Sequence, residues 1–527
     1  MTEAPPAAPD AGADDPLSGR IAHYRDVREQ IERSTLSLAT SVDGSSFEVQ
    51  ASLHHLTLTR GCYVVLETEA GVRLGQVTDV SMHSERVDVP GASGSSSGVV
   101  VRLAVGTGLM LDADAMPFHD ASVRVARPEE VSGWFAESGP DRALLTIGEL
   151  AAAPGVPASL DSGGFNRHTF MCGQSGSGKT YSLGLLLERV LAETTLRVVI
   201  LDPNSDYRGL SRLREDADPD VAARYRAVLD QVAVWSGDPD AELPLRLRFA
   251  ELGTSAQGAV LGIDPIADRE EFAALADLLR AAEHGGPLIT EPDQLLKAES
   301  EGPRRLGMRA ANLGVFDWSV WAGEQPSILQ ELRNPTSRCV VVDLGSLETV
   351  HEQRVVAEAV LSTLWELRRS RQPCLVVIDE AHNVCAAEPE DPLTGLSTAT
   401  TVQIAAEGRK FGLYLLVSTQ RPNKVHQNVV SQCDNLLLMR MNSQADLADL
   451  TSFFSFVPPG LVAGASSFRM GQALVGGKFF PQAGYVVMGA RVTQEGGADV
   501  PTTWARPRVE RGLSSPGLDK LPGSTPG

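Results

Sequence analysis

The chain has 527 residues, of which 43% are hydrophobic and 21% are charged. This is an ordinary globular composition, with length enough for about three domains. The longest apolar runs, such as 413–417, fall far short of the ~20 residues that a membrane span requires, so we expect no membrane partner and a cytoplasmic location. The formal net charge of −21 argues against a surface that binds nucleic acid indiscriminately, although it leaves room for a local basic channel.

The cysteines and histidines give no sign of a metal site. No C-x-x-C pair occurs among the six cysteines, and several of them lie inside apolar runs. We therefore expect reduced core residues of a cytosolic protein rather than zinc ligands or disulfides. The ten histidines show no metal-ligand spacing.

The sequence of the N-terminal quarter predicts a tail and a small β-rich domain. Residues 1–33 begin with an Ala/Pro/Asp-rich stretch and are predicted to form a disordered or helical tail. Residues 34–130 contain short strand-like runs separated by Gly/Ser/Asp turns such as 92–98, which is typical of a small barrel or sandwich. The predicted strands are 47–53, 62–68, 72–80, 99–105 and 121–126. Residues 501–527 are predicted to be a second tail.

The most informative motif is a phosphate-binding loop. The residues are Gly173, Gln174, Ser175, Gly176, Ser177, Gly178, Lys179 and Thr180, placed between an apolar run and a helix-patterned run. The spacing G-x-x-x-x-G-K-[ST] in a strand–loop–helix context predicts a P-loop, whose backbone N–H groups and helix dipole hold a phosphate chain. Lys179 would reach the β- and γ-phosphates, and the Thr180 hydroxyl would ligate Mg²⁺. The alternative is a Gly/Ser-rich loop that binds nothing.

From about residue 140 to 500 the pattern predicts an α/β core. Apolar strand runs alternate with helical stretches, which implies a mostly parallel sheet with helices on both faces. The predicted strands are 169–172, 196–201, 339–344, 374–378, 413–418 and 436–441. A long insertion at about 209–335 is predicted to be helix-rich, because Asp268 and Glu271 form a capping-box pattern before an amphipathic run.

Two carboxylates end the strand at 374–378. Asp379 and Glu380 resemble a Walker B element, in which Asp379 would hold Mg²⁺ through its water shell and Glu380 would orient and deprotonate the attacking water. The alternative is a strand end capped by solvated acids.

Other polar residues sit at strand ends. Gln420 follows the strand at 413–418, where it could contact the γ-phosphate or its water; the alternative is a surface turn set by Pro422. The loop 202–207 is either a ligand-facing acidic loop or an Asp-Pro turn. The segment 403–444 has a local charge balance of +3 from five basic and two acidic residues, which indicates either a DNA-facing surface or a solvated face.

As a set, these motifs resemble the HerA ATPases, in the HerA/FtsK branch of RecA-like translocases. The resemblance covers about 34–500 and rests on 167–180, 201–203, 378–382, 407–412 and 418–422. It implies a RecA-like P-loop NTPase core, an N-terminal HAS-like barrel, and a trans-acting arginine at the position of Arg409. The alternative for Arg409 is a cation at a helix end. Two departures are Ser175, where relatives often have Thr, and the loop D-P-N-S-D-Y in place of D-P-H-G-E-Y, so no catalytic role is carried onto Asp206.

The resemblance implies a hexameric DNA translocase or helicase that depends on ATP and Mg²⁺ and acts on double-stranded DNA. It would work with a nuclease or other nearby-encoded effector in DNA-end processing or anti-phage defence. The alternative is a scaffold ring that assembles and controls an effector without substantial translocation, which the acidic charge favours. A DEAH-box enzyme, suggested by residues 379–382, would need a second RecA-like domain for which the remaining chain is too short. Conjugation and type IV secretion ATPases stay open as relatives.

Overall fold

A computed structural model describes residues 16–52, 58–88, 98–112, 116–139, 142–284, 291–323 and 325–496. Most of the predicted turn at 92–98, the start of the N-terminal tail and the whole C-terminal tail therefore lie outside the described residues. The later part of the predicted N-terminal tail is a helix, because residues 16–34 are helical.

The N-terminal part of the chain is a six-stranded closed barrel flanked by two helices. Its elements are α1 (Pro16–Ser34), β1 (Leu38–Ser41), β2 (Ser46–Ser52), β3 (Tyr63–Thr68), β4 (Gly71–Asp88), β5 (Gly98–Met110), β6 (Phe118–Val125) and α2 (Pro128–Ser138). The strands close in the order β1-β2-β5-β4-β3-β6. Alternate residues of β2 point inward, so that Phe47, Val49 and Ala51 are buried in the barrel core, as the two-residue period of a strand requires. Strand β1 was not among the predicted strands, and β4 and β5 are much longer than predicted.

The rest of the chain builds one large sheet with helices around it. In chain order its elements are β7 (Leu144–Leu150), β8 (Pro157–Asp161), β9 (His168–Cys172), α3 (Lys179–Glu193), β10 (Arg197–Asp202), α4 (Pro219–Arg226), β11 (Val232–Ser236), β12 (Leu243–Pro244), α5 (Thr254–Val260), α6 (Arg269–Glu283), α7 (Glu301–Asn312), α8 (Ile328–Arg333), β13 (Cys339–Asp343), α9 (Val350–Glu366), β14 (Cys374–Ile378), α10 (Pro392–Glu407), β15 (Leu413–Thr419), α11 (Gln427–Val430), β16 (Cys433–Met439), α12 (Gln444–Phe453), α13 (Pro459–Gly464), β17 (Gln472–Gly477) and β18 (Gly484–Met488).

This sheet has twelve strands in the order β12-β11-β13-β10-β14-β15-β9-β16-β17-β18-β7-β8. The eight strands from β12 to β16 are parallel, and the last four add in antiparallel fashion. The prediction of an α/β fold with a mostly parallel sheet is thus confirmed. Because the strands are parallel, the residues that follow β9, β10, β14 and β15 meet at one edge of the sheet.

The parallel strands are buried on both faces. Along β14, Val376 and Ile378 contribute to one hydrophobic core, while Leu375 and Val377 contribute to another on the opposite face. The first core includes residues of α9 and α10, and the second includes residues of α3. This placement explains why the strands are continuous apolar runs rather than alternating ones.

The segment at 209–335 is not only helical. Besides α4 to α8 it contributes β11, which pairs in parallel with β13 from Val232 opposite Cys339 to Ser236 opposite Asp343. The insertion therefore extends the sheet itself, and its helix α5 packs against α9 and α10. The predicted helix after Asp268 is present as α6. Within the described residues, no helix is both long and apolar enough to cross a membrane. All six cysteines are buried in the core, as expected, and none forms a disulfide in this structure.

Candidate active site

The loop 173–178 joins β9 to α3 at the carboxyl edge of the parallel strands. Gly176 and Gly178 have φ angles of +70° and +90°, in the left-handed region that glycine enters without steric cost. Gly178 is the N-cap of α3, so the first turn of a 15-residue helix faces the loop. The first backbone N–H groups of a helix lack intrahelical partners, and together with the helix dipole they form a site for an anion.

Lys179 lies against the two acids that follow β14. Its Nζ is 2.7 Å from Asp379 Oδ1 and 3.2 Å from Glu380 Oε1, and it donates to Ser418 Oγ at 3.1 Å. All three charged side chains are less than a tenth exposed. The P-loop and the acids, which are 200 residues apart in sequence, therefore share one crevice.

Mutual charge keeps the buried Lys179 and Asp379 side chains ionised. Burial alone would lower the pKa of Lys179, but the Asp379 and Glu380 carboxylates raise it above its ordinary value. Burial would likewise raise the pKa of Asp379, but the Lys179 ammonium lowers it below its ordinary value. The two shifts agree on a charged pair, which a buried site tolerates because the partners touch and are hydrogen-bonded.

Glu380 has a constrained backbone and a held side chain. Its φ of +43° is left-handed, a conformation that costs a residue with a side chain roughly 1–2 kcal/mol. Gln420 Nε2 donates to Glu380 Oε1 at 2.8 Å, and His382 Nδ1 lies 3.4 Å from Oε2. In the structure, Gln420 is therefore a hydrogen-bond donor to the Glu380 carboxylate. This arrangement aims the carboxylate into the crevice at a backbone cost that the surrounding contacts must offset.

The family comparison agrees with this geometry. Residues 145–302 match the family model described as "Helicase HerA, central domain". The "DNA double-strand break repair helicase HerA" of Saccharolobus solfataricus is 23% identical over 449 residues, which cover 79% of this chain and 85% of that protein. The protein of the same name from Sulfurisphaera tokodaii is 22% identical over 401 residues, 70% of this chain and 73% of that one.

The chain is similar to the HerA helicases over most of its length, and we call it HerA-like. It is an ATP-hydrolysing enzyme, since residues 145–302 match the HerA central-domain model and the HerA relatives align over 79% and 70% of the chain. Among solved structures it is similar to VirB4 of Thermoanaerobacter pseudethanolicus, at 17% identity and a TM-score of 0.48, over 67% of this chain and 98% of that one.

The loop after β10 adds a residue to the site of the HerA-like ATPase that sequence reasoning missed. The hydroxyl of Tyr207 donates to Asp379 Oδ2 at 2.9 Å, and Tyr207 is fully buried. Asp202 accepts the backbone N–H groups of Asp206 and Tyr207 at 3.0 and 2.8 Å, which fixes the loop. The signal was present in the sequence, because Tyr207 follows the acids at the end of a parallel strand.

Two carboxyl groups of this loop, Asp202 and Asp206, have pKa values close to neutral pH. Burial raises the pKa of Asp202 to about 7, opposed by its backbone N–H donors. Burial and the neighbouring Asp379 raise the pKa of Asp206 to about 6. The charges of Lys179, Asp379 and Glu380 therefore act directly on the pKa of Asp206. Asp202 instead affects the site through the hydrogen bonds that fix the loop backbone.

Arg409 of the HerA-like ATPase lies away from this crevice. It sits in the turn before β15 and pairs with Asp434 at 2.9 Å; Arg167, just before β9, lies 3.7 Å from the same carboxylate. The seven residues of β15 separate this cluster from Gln420 by roughly 23 Å at about 3.3 Å per residue. Arg409 therefore faces the amino edge of the sheet and is one-third exposed.

The remaining predicted residues surround the P-loop. Gln174 donates its backbone N–H to the Arg440 carbonyl at 3.0 Å, and its Oε1 accepts from Asn442 N at 3.1 Å. Ser175 is exposed, Ser177 is buried, and Thr180 in the first turn of α3 is half-buried. The structure therefore gathers every predicted site residue at the carboxyl edge except Arg409.

Proposed function

We propose that this HerA-like ATPase is a ring-forming motor that couples ATP hydrolysis to movement along double-stranded DNA. The observation that carries the proposal is the shared crevice of Lys179, Asp379 and Glu380, with Arg409 at the opposite edge of the same sheet. The HerA relatives carry the names of DNA repair helicases, which supports DNA as the track.

In the proposed site, the P-loop residues 173–180 bind the triphosphate and Lys179 leaves part of its contact with the acids to reach the terminal phosphates. Glu380, held by Gln420, accepts a proton from the attacking water. The buried lysine supplies positive charge next to the group that gains negative charge, which is worth more in a water-poor crevice than in solvent.

The donors present fit a magnesium ion bound mainly by phosphate and water. No cluster of three or more His, Cys, Asp or Glu side chains among the described residues could hold a metal alone, and Mg²⁺ bound with ATP usually takes only one or two protein ligands. The fully buried Asp379 carboxylate and the Thr180 hydroxyl would hold it. A bound Mg²⁺ would neutralise charge on the phosphates.

Arg409 fits a role in a neighbouring subunit. It cannot reach the crevice of its own chain across the length of β15. In a ring, the partly exposed Arg409 guanidinium would instead leave Asp434 and enter the crevice of the next copy. The proposed assembly is a homohexamer. We further propose that its partner is a nuclease or other effector, in DNA-end processing or anti-phage defence.

The test of the motor proposal is the rate of ATP hydrolysis with and without linear duplex DNA. We expect DNA to raise the turnover rate, and added salt to remove the increase because phosphate contacts are salt-dependent. Lys179→Ala, which removes the ammonium group from the crevice, serves as the inactive control. Equal turnover with and without DNA at low salt would contradict a DNA motor while leaving the ATPase intact.

The second candidate is a scaffold ring that assembles and controls an effector enzyme, and the net charge of −21 favours it. Size-exclusion chromatography of the chain with the product of a neighbouring gene separates the two. Stable co-assembly without DNA, together with unstimulated turnover, supports the scaffold. Dependence of turnover on DNA supports the motor.

A further inference from the structure

The two sides of the P-loop differ in the side chains that a bound nucleotide would meet. On one side, across β15, lie the buried acids Asp379 and Glu380, and this side is closed by protein. On the other side lie the segments that follow β16 and precede β17, at 440–442 and 469–471. A nucleoside triphosphate whose last phosphate meets the acids has to extend its sugar and base away from them, toward this second wall.

The second wall is fixed directly to the P-loop. Gly471 donates its backbone N–H to the Ser177 carbonyl at 3.0 Å, and its own carbonyl accepts from Met488 N at 2.8 Å. On the neighbouring segment, Arg440 Nη2 donates to the Gly176 carbonyl at 3.2 Å. These bonds hold the wall at a set distance from the loop that would carry the phosphates.

Met470 is the apolar group that this wall presents. Its side chain is 74% exposed, whereas most large apolar side chains of the sheet domain are buried. Its Cγ lies 3.6 Å from the place where a Cβ on Gly178 would stand, so it is adjacent to the P-loop residue that caps α3. The Arg440 guanidinium lies beside this wall, and its Nε is buried without a hydrogen-bond partner among the described residues.

We propose that Met470 forms one face of a nucleobase subsite, with the Arg440 guanidinium directed at the ribose or α-phosphate. A thioether packs favourably on aromatic rings, and a guanidinium donates to phosphate and sugar oxygens. The subsite takes a purine in preference to a pyrimidine, because the larger ring covers more of the apolar side chain. The inference rests on the proposed binding of ATP at the P-loop and adds the residue that recognises its base.

The experiment compares two ligands by isothermal titration calorimetry in magnesium buffer. ADP has the base, whereas inorganic tripolyphosphate has only the phosphate chain. For Met470→Ala we expect the dissociation constant of ADP to rise about tenfold, as the loss of one thioether–aromatic contact and its buried area implies. We expect tripolyphosphate to bind as in the wild type. Met470→Leu should restore most of the ADP affinity, because it keeps the apolar area.

The matched control is Met308→Ala, which truncates a methionine that is 53% exposed on α7, away from the P-loop. Unchanged ADP affinity in Met470→Ala, or an equal loss for ADP and tripolyphosphate, would overturn the inference while leaving the nucleotide site standing. A change of oligomeric state without a change in ADP affinity would assign Met470 to a subunit contact and also overturn it. If the wild type binds neither ligand, the nucleotide site and the inference fall together.

Discussion

Replacing Glu380 with glutamine removes one charge from the proposed active site and almost nothing else. Glutamine has the same shape, and its carbonyl oxygen can still accept from Gln420, which donates at 2.8 Å in the structure. The oxygen that lies 3.2 Å from Lys179 loses its negative charge, but Lys179 keeps the charged Asp379 at 2.7 Å and Ser418 at 3.1 Å. We therefore expect nucleotide binding and the folded structure to persist in Glu380→Gln.

The expected defect lies in the chemical step. A positioned general base contributes roughly 10²–10⁴-fold to a rate, which corresponds to about 3–5 kcal/mol of activation free energy. Glutamine cannot accept the proton of the attacking water, so the rate of ATP hydrolysis should fall by that factor while the dissociation constant for ATP stays within about threefold of the wild type, less than 1 kcal/mol.

The assay is single-turnover hydrolysis of ATP, read beside equilibrium binding of a fluorescent ATP analogue. Glu388→Gln is the matched control, because it makes the same change at an exposed position eight residues along the chain. A rate within tenfold of the wild type in Glu380→Gln would refute the reasoning, since the carboxylate would then not be the base. A comparable loss in Glu388→Gln would attribute the effect to the charge of the region.

Two further predictions concern the opposite edge of the sheet and the loop after β10. Arg409→Ala should lower ATP turnover by about 10³-fold or more. Mixing Arg409→Ala subunits with Lys179→Ala subunits should restore some activity, because each variant lacks a different half of a shared site. If no mixing ratio restores activity, Arg409 does not act on the neighbouring subunit. Burial and the nearby Asp379 raise the pKa of Asp206 to about 6. The ionised Asp206 carboxylate therefore destabilises the folded protein. This destabilisation is absent below the pKa of the unfolded chain and complete once the pH is well above 6. Asp206→Asn should therefore gain about 1 kcal/mol of unfolding free energy at pH 8, allowing for solvent screening at this partly exposed group, and almost nothing at about pH 3, below the unfolded pKa. Urea unfolding of Asp206→Asn and of the control Asp240→Asn at both pH values measures this. Equal gains for Asp206→Asn at the two pH values would refute the prediction.

The strands that hold the site were predictable because each is a local pattern. Strand β14 has the predicted bounds of 374–378, since a strand buried on both faces must be apolar at every position. The P-loop is equally local, because its glycines and the following helix are contiguous in sequence. The meeting of Lys179 with Asp379 followed from the rule that parallel strands place their carboxyl ends at one edge.

What the sequence did not predict depends on contacts between distant segments. The participation of β11 in the sheet requires pairing with β13 across about a hundred residues, and nothing in the apolar run 232–236 distinguishes a sheet strand from an isolated one. The hydrogen bond from Tyr207 to Asp379 joins residues 172 positions apart. The left-handed backbone of Glu380 is equally hidden, because its cost is offset by contacts that only the folded site provides.

The placement of Arg409 and Gln420 at the two ends of β15 has a mechanical consequence under the proposed ring. Gln420 contacts Glu380, which would face the terminal phosphate of its own nucleotide, while Arg409 would face the nucleotide of the next subunit. Strand β15 is hydrogen-bonded to β14 on one side and to β9 on the other. It therefore moves as a rigid element with these neighbours, because sliding it would break the hydrogen bonds between strands and displace its apolar side chains from their packed positions. When one crevice loses its γ-phosphate, the change would then be transmitted to the next crevice through rotation of the whole sheet domain. The sheet itself, rather than a flexible loop, would carry the signal between ATP sites.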